Sequence, residues 1–364
     1  MNIANLYNHT ITERISRILI NVLLVSILLL VSTKLVFAGS FNDSAVGHEA
    51  FPLWFNNSPF QELDEDLSNA RAKGKQGLMV LYSTEGCSYC KQFIKKSLGD
   101  PEIASALQKN FDSIGLEIFD DAELSSPSGI TTSIKRFAES EGVQFAPTIL
   151  FYGEGGKRLL RVTGYQSPAR FKKILGYVGG KHYRTQTLAE YLKRSERPNA
   201  TVQSVARLKQ DPLFGKAPHR LQRNVIPASQ PLLVIFEKPG CAECTDFHSA
   251  VLASNDVRSS LEKFEVVRLN ALDNKSMVVL PDGSRISPAS WFNQAGFSRL
   301  PALVFYSEKG HEALKTDTLI MRNRMMNSIN YVLERAYIKG WSYQRFARSK
   351  AIERNMKKKM AKTK

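Results

Sequence analysis

The chain has 364 residues, of which 43% are hydrophobic, 23% charged and 10% aromatic. At roughly 150 residues per domain this length requires two cores, and the composition excludes a mainly disordered or fibrous chain. Fifty Lys and Arg against 34 Asp and Glu leave a formal charge of +16, which excludes an acidic solvating chain.

The first 38 residues read as a targeting segment. Arg14 and Arg17 precede the apolar run Ile18 to Val31, and Val36-Phe37-Ala38 suits cleavage before Gly39. An uncleaved anchor over Ile18 to Ala38, with Lys34 reaching the interface, is the alternative. Either way, positive charge ahead of the apolar run places Gly39 onward outside the cytoplasm. The expectation is a periplasmic or otherwise extracytoplasmic chain, soluble after cleavage or anchored by its N-terminal helix, with no nucleic acid as partner. Disulfides are permitted there.

Pro59 to Ala72 reads as an amphipathic helix with Phe60, Leu63 and Leu67 on one side. Leu78 to Tyr82 is a short apolar strand that meets a Gly86-Cys87 turn. Phe93, Ile94 and Leu98 then mark a helical face, Ser113 to Phe119 a second strand, and Pro147 to Tyr152 a third, followed by a Gly-containing turn. Residues 196–229 hold Pro198, Pro212, Pro218 and Pro227 without an apolar period and read as a linker. The order then repeats: a strand at Leu232 to Phe236, the Gly240-Cys241 turn, a helix with Phe247, Val251 and Leu252, and strands at Phe264 to Leu269 and Pro301 to Tyr306.

The landmarks hold one register, because Cys87 to Cys241 and Pro147 to Pro301 are each 154 residues apart (241 − 87 = 301 − 147 = 154). Gly86 and Gly240, Phe93 and Phe247, Gly142 and Gly296, and Phe151-Tyr152 and Phe305-Tyr306 match at the same offset. Two copies of one domain follow. Strands separated by helical segments imply an α/β fold, a sheet with helices on its faces. The resulting map is a signal peptide or anchor (1–38), a first domain (39–195), a linker (196–229), a second domain (230–336) and a basic tail (337–364). From Arg335 the end of the chain carries eleven Lys or Arg against one acid, Glu353, which reads as a solvated, partly disordered tail. Its sharper reading is contact with an anionic membrane surface.

All four cysteines fall in two Cys-x-x-Cys pairs, Cys87/Cys90 and Cys241/Cys244, so none is left to staple the fold. A bridge across so short a loop restricts the unfolded chain little, which favours redox exchange over stabilisation. A zinc ribbon would hold its two pairs about 15 to 20 residues apart. Haem attachment fails because Lys91 and Thr245 stand where a histidine is needed. No metal or bound cofactor is expected beyond the redox-active disulfides.

A strand, a turn and Cys-x-x-Cys opening a helix, with a strand-leading proline downstream, resembles the thioredoxin superfamily in both copies. The residues that carry the likeness are Gly86-Cys87-Ser88-Tyr89-Cys90 with Ala146-Pro147-Thr148, and Gly240-Cys241-Ala242-Glu243-Cys244 with Leu300-Pro301-Ala302. Gly39 to Tyr183 looks most like periplasmic thioredoxin-related proteins associated with sulfur oxidation. The resemblance implies two tandem thioredoxin-like domains, each a central mixed β-sheet flanked by helices. It also implies a thiol:disulfide oxidoreductase acting on protein thiols or disulfides, supplied by an upstream membrane or soluble thiol redox partner. Cys87 and Cys241 would attack from helix N-termini, where backbone N–H groups and the helix dipole favour a thiolate, and Cys90 and Cys244 would resolve. By resemblance Pro147 and Pro301 are cis, and with Thr148 and Ala302 they help hold an extended substrate. The equal spacing of 57 residues from Cys90 and Cys244 supports this.

Several positions depart from the family. Leu81 and Ile235 stand where thioredoxin has a buried acid, Arg268 replaces a lysine near the site, and neither motif contains Gly-Pro or Pro-His. Glu85 reads as an exposed loop acid and His248 as an exposed helix residue. Lys238 and Arg268 against Glu243 favour Cys241 as the more acidic thiol. A binding module or chaperone in which the thiols are secondary is the rival reading.

Overall fold

The structure is a computed structural model that describes residues 41, 43, 49–56, 58, 60–195 and 210–362. The targeting segment 1–38 and the first part of the linker lie outside the described residues. In the first copy, Leu63–Ala72 forms α1, with Leu63 and Leu67 buried as expected but Phe60 exposed ahead of the helix. Gly77–Ser83 forms β1, a run buried along nearly its whole length, as a central strand covered on both faces must be. Ser88–Gln92 (α2) continues into a π-helical turn, Phe93–Leu98. Pro101–Asn110 (α3) starts where Asp100 accepts hydrogen bonds from the Glu102 and Ile103 amides, with proline as its first residue. Phe111–Glu117 (β2), Ile134–Ser140 (α4), Thr148–Tyr152 (β3), Arg158–Thr163 (β4), Pro168–Gly179 (α5) and Leu188–Ser195 (α6) complete the copy.

The sheet runs β2-β1-β3-β4, parallel between β1 and β2 and antiparallel elsewhere. The second copy repeats this with Leu232–Glu237 (β5), Ala242–Phe247 (α7), Asn255–Leu261 (α8), Glu265–Asn270 (β6), Pro288–Gln294 (α9), Ala302–Tyr306 (β7) and Glu312–Thr316 (β8), in the order β8-β7-β5-β6. Register repeats as well: Leu81 pairs with Ile149 and Ile235 with Leu303. Both sheets are mixed, and each has an apolar core on either face.

Two sequence expectations change. Residues 210–228 are not a free linker: Leu221 and Arg223 are buried against the second copy, Arg223 donates to Glu265 at 2.5 Å, and Arg220 bridges Val279. The basic end is not a disordered tail, because after Arg322–Leu333 (α10) residues Tyr343–Lys362 form a 20-residue helix, α11. Tyr343 and Phe346 anchor it in the second core, and that apolar contact outweighs the repulsion among its cations. The two copies also pack on each other within one compact unit.

Equivalent positions of the two copies lie where the copies meet. Gly164 and Thr318, equivalent at the offset of 154 (318 − 164 = 154), touch so closely that a Cβ on Gly164 would lie 2.6 Å from Thr318 Cβ. Arg170 and Arg324, also equivalent (324 − 170 = 154), each reach across. Arg170 donates to Ser298 O at 3.2 Å and Arg324 to Ala146 O at 2.9 Å. Phe145 enters the second core, and its equivalent Arg299 donates to Tyr165 O of the first copy.

Candidate active sites

In each copy the central strand delivers the chain to a tight turn whose glycine is left-handed, φ 75° at Gly86 and 69° at Gly240, where a side chain would be strained. The first cysteine follows as the helix N-cap. Cys87 Sγ accepts from the Cys90 amide and Cys241 Sγ from the Cys244 amide, both at 3.1 Å. Both pairs are closed as disulfides. These amides and the helix dipole would stabilise the sulfur as a thiolate once the bridge opens. Cys90, Cys241 and Cys244 are buried, whereas Cys87 is half-buried. The Ala146-Pro147 and Leu300-Pro301 peptides are cis, and Thr148 and Ala302 follow as the fully buried first residues of β3 and β7. Thr148 Oγ1 is turned back to donate to Phe145 O at 2.6 Å.

The first site includes residues of the second copy. Tyr89, inside the Cys-x-x-Cys, accepts from the Met321 amide, donates to the Asp43 carboxylate, and lies under the Arg324 guanidinium at 3.4 Å. Burial pushes the Tyr89 phenol well above its ordinary pKa, so it stays a neutral donor. Asp43 also accepts from the Asn323 and Arg324 amides at the start of α10. Gln344 of α11 accepts from the Ala146 amide at 3.1 Å. None of these cross-copy partners was read as part of the site. The available signal was Arg324, which matches Arg170 at the repeat offset.

The second site has a different polar neighbour. Leu81 and Ile235 lie in the core as their apolar character requires, but Glu237, four residues before Cys241, is buried. His248 is therefore not an exposed helix residue: its Nε2 lies 2.7 Å from Glu237 Oε1. Arg268 lies 3.8 Å from the other carboxylate oxygen and over the Phe214 ring at 4.4 Å. The cation that the sequence offered to Cys241 thus faces a buried carboxylate. Arg299, whose pKa burial lowers, feels the charges of Glu243 and Asp317. In the first copy Glu85 is exposed, as read. Among the described residues no cluster of three or more His, Cys, Asp or Glu could hold a metal.

A half-buried or buried Cys-x-x-Cys at a helix N-terminus, in a copy whose third strand follows a cis-proline, present twice, defines a protein with two dithiol–disulfide centres on mixed α/β sheets. The chain belongs to the thioredoxin-like domain family, whose sequence profile matches residues 63–179 and again 221–333. It is 30% identical over 148 residues to the thiol:disulfide interchange protein DsbD of Klebsiella pneumoniae, which is 40% of this chain and 23% of that protein. The chain thus spans under a quarter of that relative's length. Among solved structures, a thioredoxin from Thermus thermophilus is 26% identical over 34% of this chain and 87% of its own, with a TM-score of 0.27. The C-terminal domain of Neisseria meningitidis DsbD in its reduced form is 14% identical over 30% and 84%, with a TM-score of 0.22.

Proposed function

We propose that the protein is a thiol:disulfide oxidoreductase of the cell envelope, exchanging electrons with protein or small-molecule thiols and with an upstream thiol partner. The observation that carries this is the placement of Cys87 and Cys241 as helix N-caps, each bridged to a cysteine one turn on and each in a copy with a cis-proline strand start. The attacking thiolate forms a mixed disulfide with the substrate as the substrate's sulfur–sulfur bond breaks. The second cysteine then attacks the first, closing the protein disulfide and releasing the reduced substrate. Cys90→Ser and Cys244→Ser should accumulate mixed disulfides visible by mass spectrometry, and Cys87→Ser and Cys241→Ser should abolish exchange at their own sites. Labelling of Cys90 before Cys87 by iodoacetamide at neutral pH would overturn the assignment.

An extracytoplasmic location is supported by the basic-then-apolar start of the sequence. Contact with an anionic membrane surface is supported by α11, where exposed Ile352, Met356 and Met360 recur every four residues among basic side chains. Sedimentation of the protein with anionic but not zwitterionic vesicles would bear this out. Equal binding to both, or to neither, would refute it.

A further inference from the structure

Resting on the exchange chemistry above, we infer that the Cys87–Cys90 site takes a small disulfide or thiol bearing an anionic group, and is closed to extended polypeptide. An extended substrate beside a cis-proline needs backbone donors and acceptors to pair with, as any added strand does. At the first site those of Ala146 are occupied: Gln344 Oε1 accepts from its amide at 3.1 Å and Arg324 Nη2 donates to its carbonyl at 2.9 Å. Both side chains are buried, and Tyr343 fixes α11 here by packing on Phe145 with ring centroids 4.5 Å apart. The second copy differs: among the described residues no side chain hydrogen-bonds the Leu300 backbone.

What remains open at Cys87 is a cleft of about 80 Å³. It is walled by Cys87, Ser88, Arg324, Arg348 and Arg354. Arg348 lies over Phe119 at 4.8 Å, and Arg354 donates to Asn327 Oδ1 at 3.2 Å, so both heads are held by neutral partners. Two acids also line the cleft. The Asp43 carboxylate is taken up by two amides and the Tyr89 hydroxyl, and Glu85 is exposed at the rim. Three guanidinium groups against two carboxylates leave the cleft net positive, and an anionic group would bind there as a carboxylate binds arginine.

The reaction balances without another reagent. The Cys87 thiolate attacks one sulfur of the ligand disulfide, a Cys87–ligand bond forms, the ligand's own bond breaks, and one ligand thiolate leaves and takes a proton. The Cys90 thiolate then attacks Cys87 Sγ, the protein disulfide closes and the second ligand thiol departs. Two electrons have passed from the protein to the ligand.

The test uses the full chain carrying Cys241→Ser and Cys244→Ser, reduced and then mixed with dianionic glutathione disulfide, neutral hydroxyethyl disulfide, dicationic cystamine or insulin. Each rate is divided by that of a Cys-x-x-Cys peptide with the same reagent. At low salt, glutathione disulfide should exceed the neutral reagent at least fivefold and cystamine by more. Arg348→Gln with Arg354→Gln should reduce that preference to near unity. Insulin should react slowly and gain severalfold in Gln344→Ala. Charge-blind rates, or an insulin rate that Gln344→Ala leaves unchanged, would overturn the ligand assignment alone. A folded protein that exchanges with none of the four would overturn the oxidoreductase reading together with it.

Discussion

Replacing Arg324 by alanine removes the cation that joins the second copy to the first site. The side chain is 6% exposed, donates to Ala146 O at 2.9 Å and Leu319 O at 3.2 Å, and lies 3.4 Å from the Tyr89 ring centroid. A hydrogen bond from a charged donor nets about 1.5–3 kcal/mol, and a desolvated cation–π contact adds about 2 kcal/mol. Against this, alanine relieves up to about 2 kcal/mol of side-chain ordering and the desolvation of a buried charge. The expected net loss is about 3 kcal/mol, roughly a hundredfold in the docking equilibrium of the two copies. Trp54 packs in the first copy and Trp291 in the second, so single-tryptophan versions report each copy separately in urea. The parent should show coincident transitions, and Arg324→Ala should separate them, with Arg324→Lys falling between because it keeps a donor but loses the planar stack. Transitions that stay coincident with a shift under about 0.5 kcal/mol would refute the clamp, since that is the size of an unremarkable surface change.

Burial first, then the charges of Asp112 and Glu62, push the Asp66 carboxyl up to about 6. A raised folded-state pKa contributes stability at low pH that is lost as pH rises from the unfolded value through about 6. Asp66→Asn should therefore raise the melting temperature at pH 7 and change it little at pH 4, and an equal shift at both would contradict this. Glu237→Ala strips the buried carboxylate from His248 and Arg268 and should cost about 3 kcal/mol in urea unfolding, more than Glu237→Gln, with equal losses counting against the pairing.

The sequence resolved what is local. Cysteine spacing, the Gly86 and Gly240 turns and the apolar runs at 78–82 and 232–236 fix where each copy puts its sulfur pair, because strand, turn and helix N-cap are short-range features. It resolved less of what the copies do to each other. Arg324, Gln344 and Asp43 look like surface residues in their own segments, and only packing of the second copy against the first brings them together around Tyr89 and Ala146. The basic run after Arg335 hid a helix because charge count outweighed the anchors Tyr343 and Phe346, which sit at its start. Glu237 ends an otherwise apolar strand, where an acid reads as leaving for solvent until His248 is seen beside it.

The most direct test is a redox titration of each cysteine pair in the folded chain against thiol–disulfide buffers, with trapped peptides counted by mass spectrometry. The account predicts two-electron couples at both Cys87–Cys90 and Cys241–Cys244, with potentials between about −270 and −120 mV, the range of exchanging centres. Pairs that resist reduction until the buffer falls below about −300 mV would behave as structural bridges and contradict it.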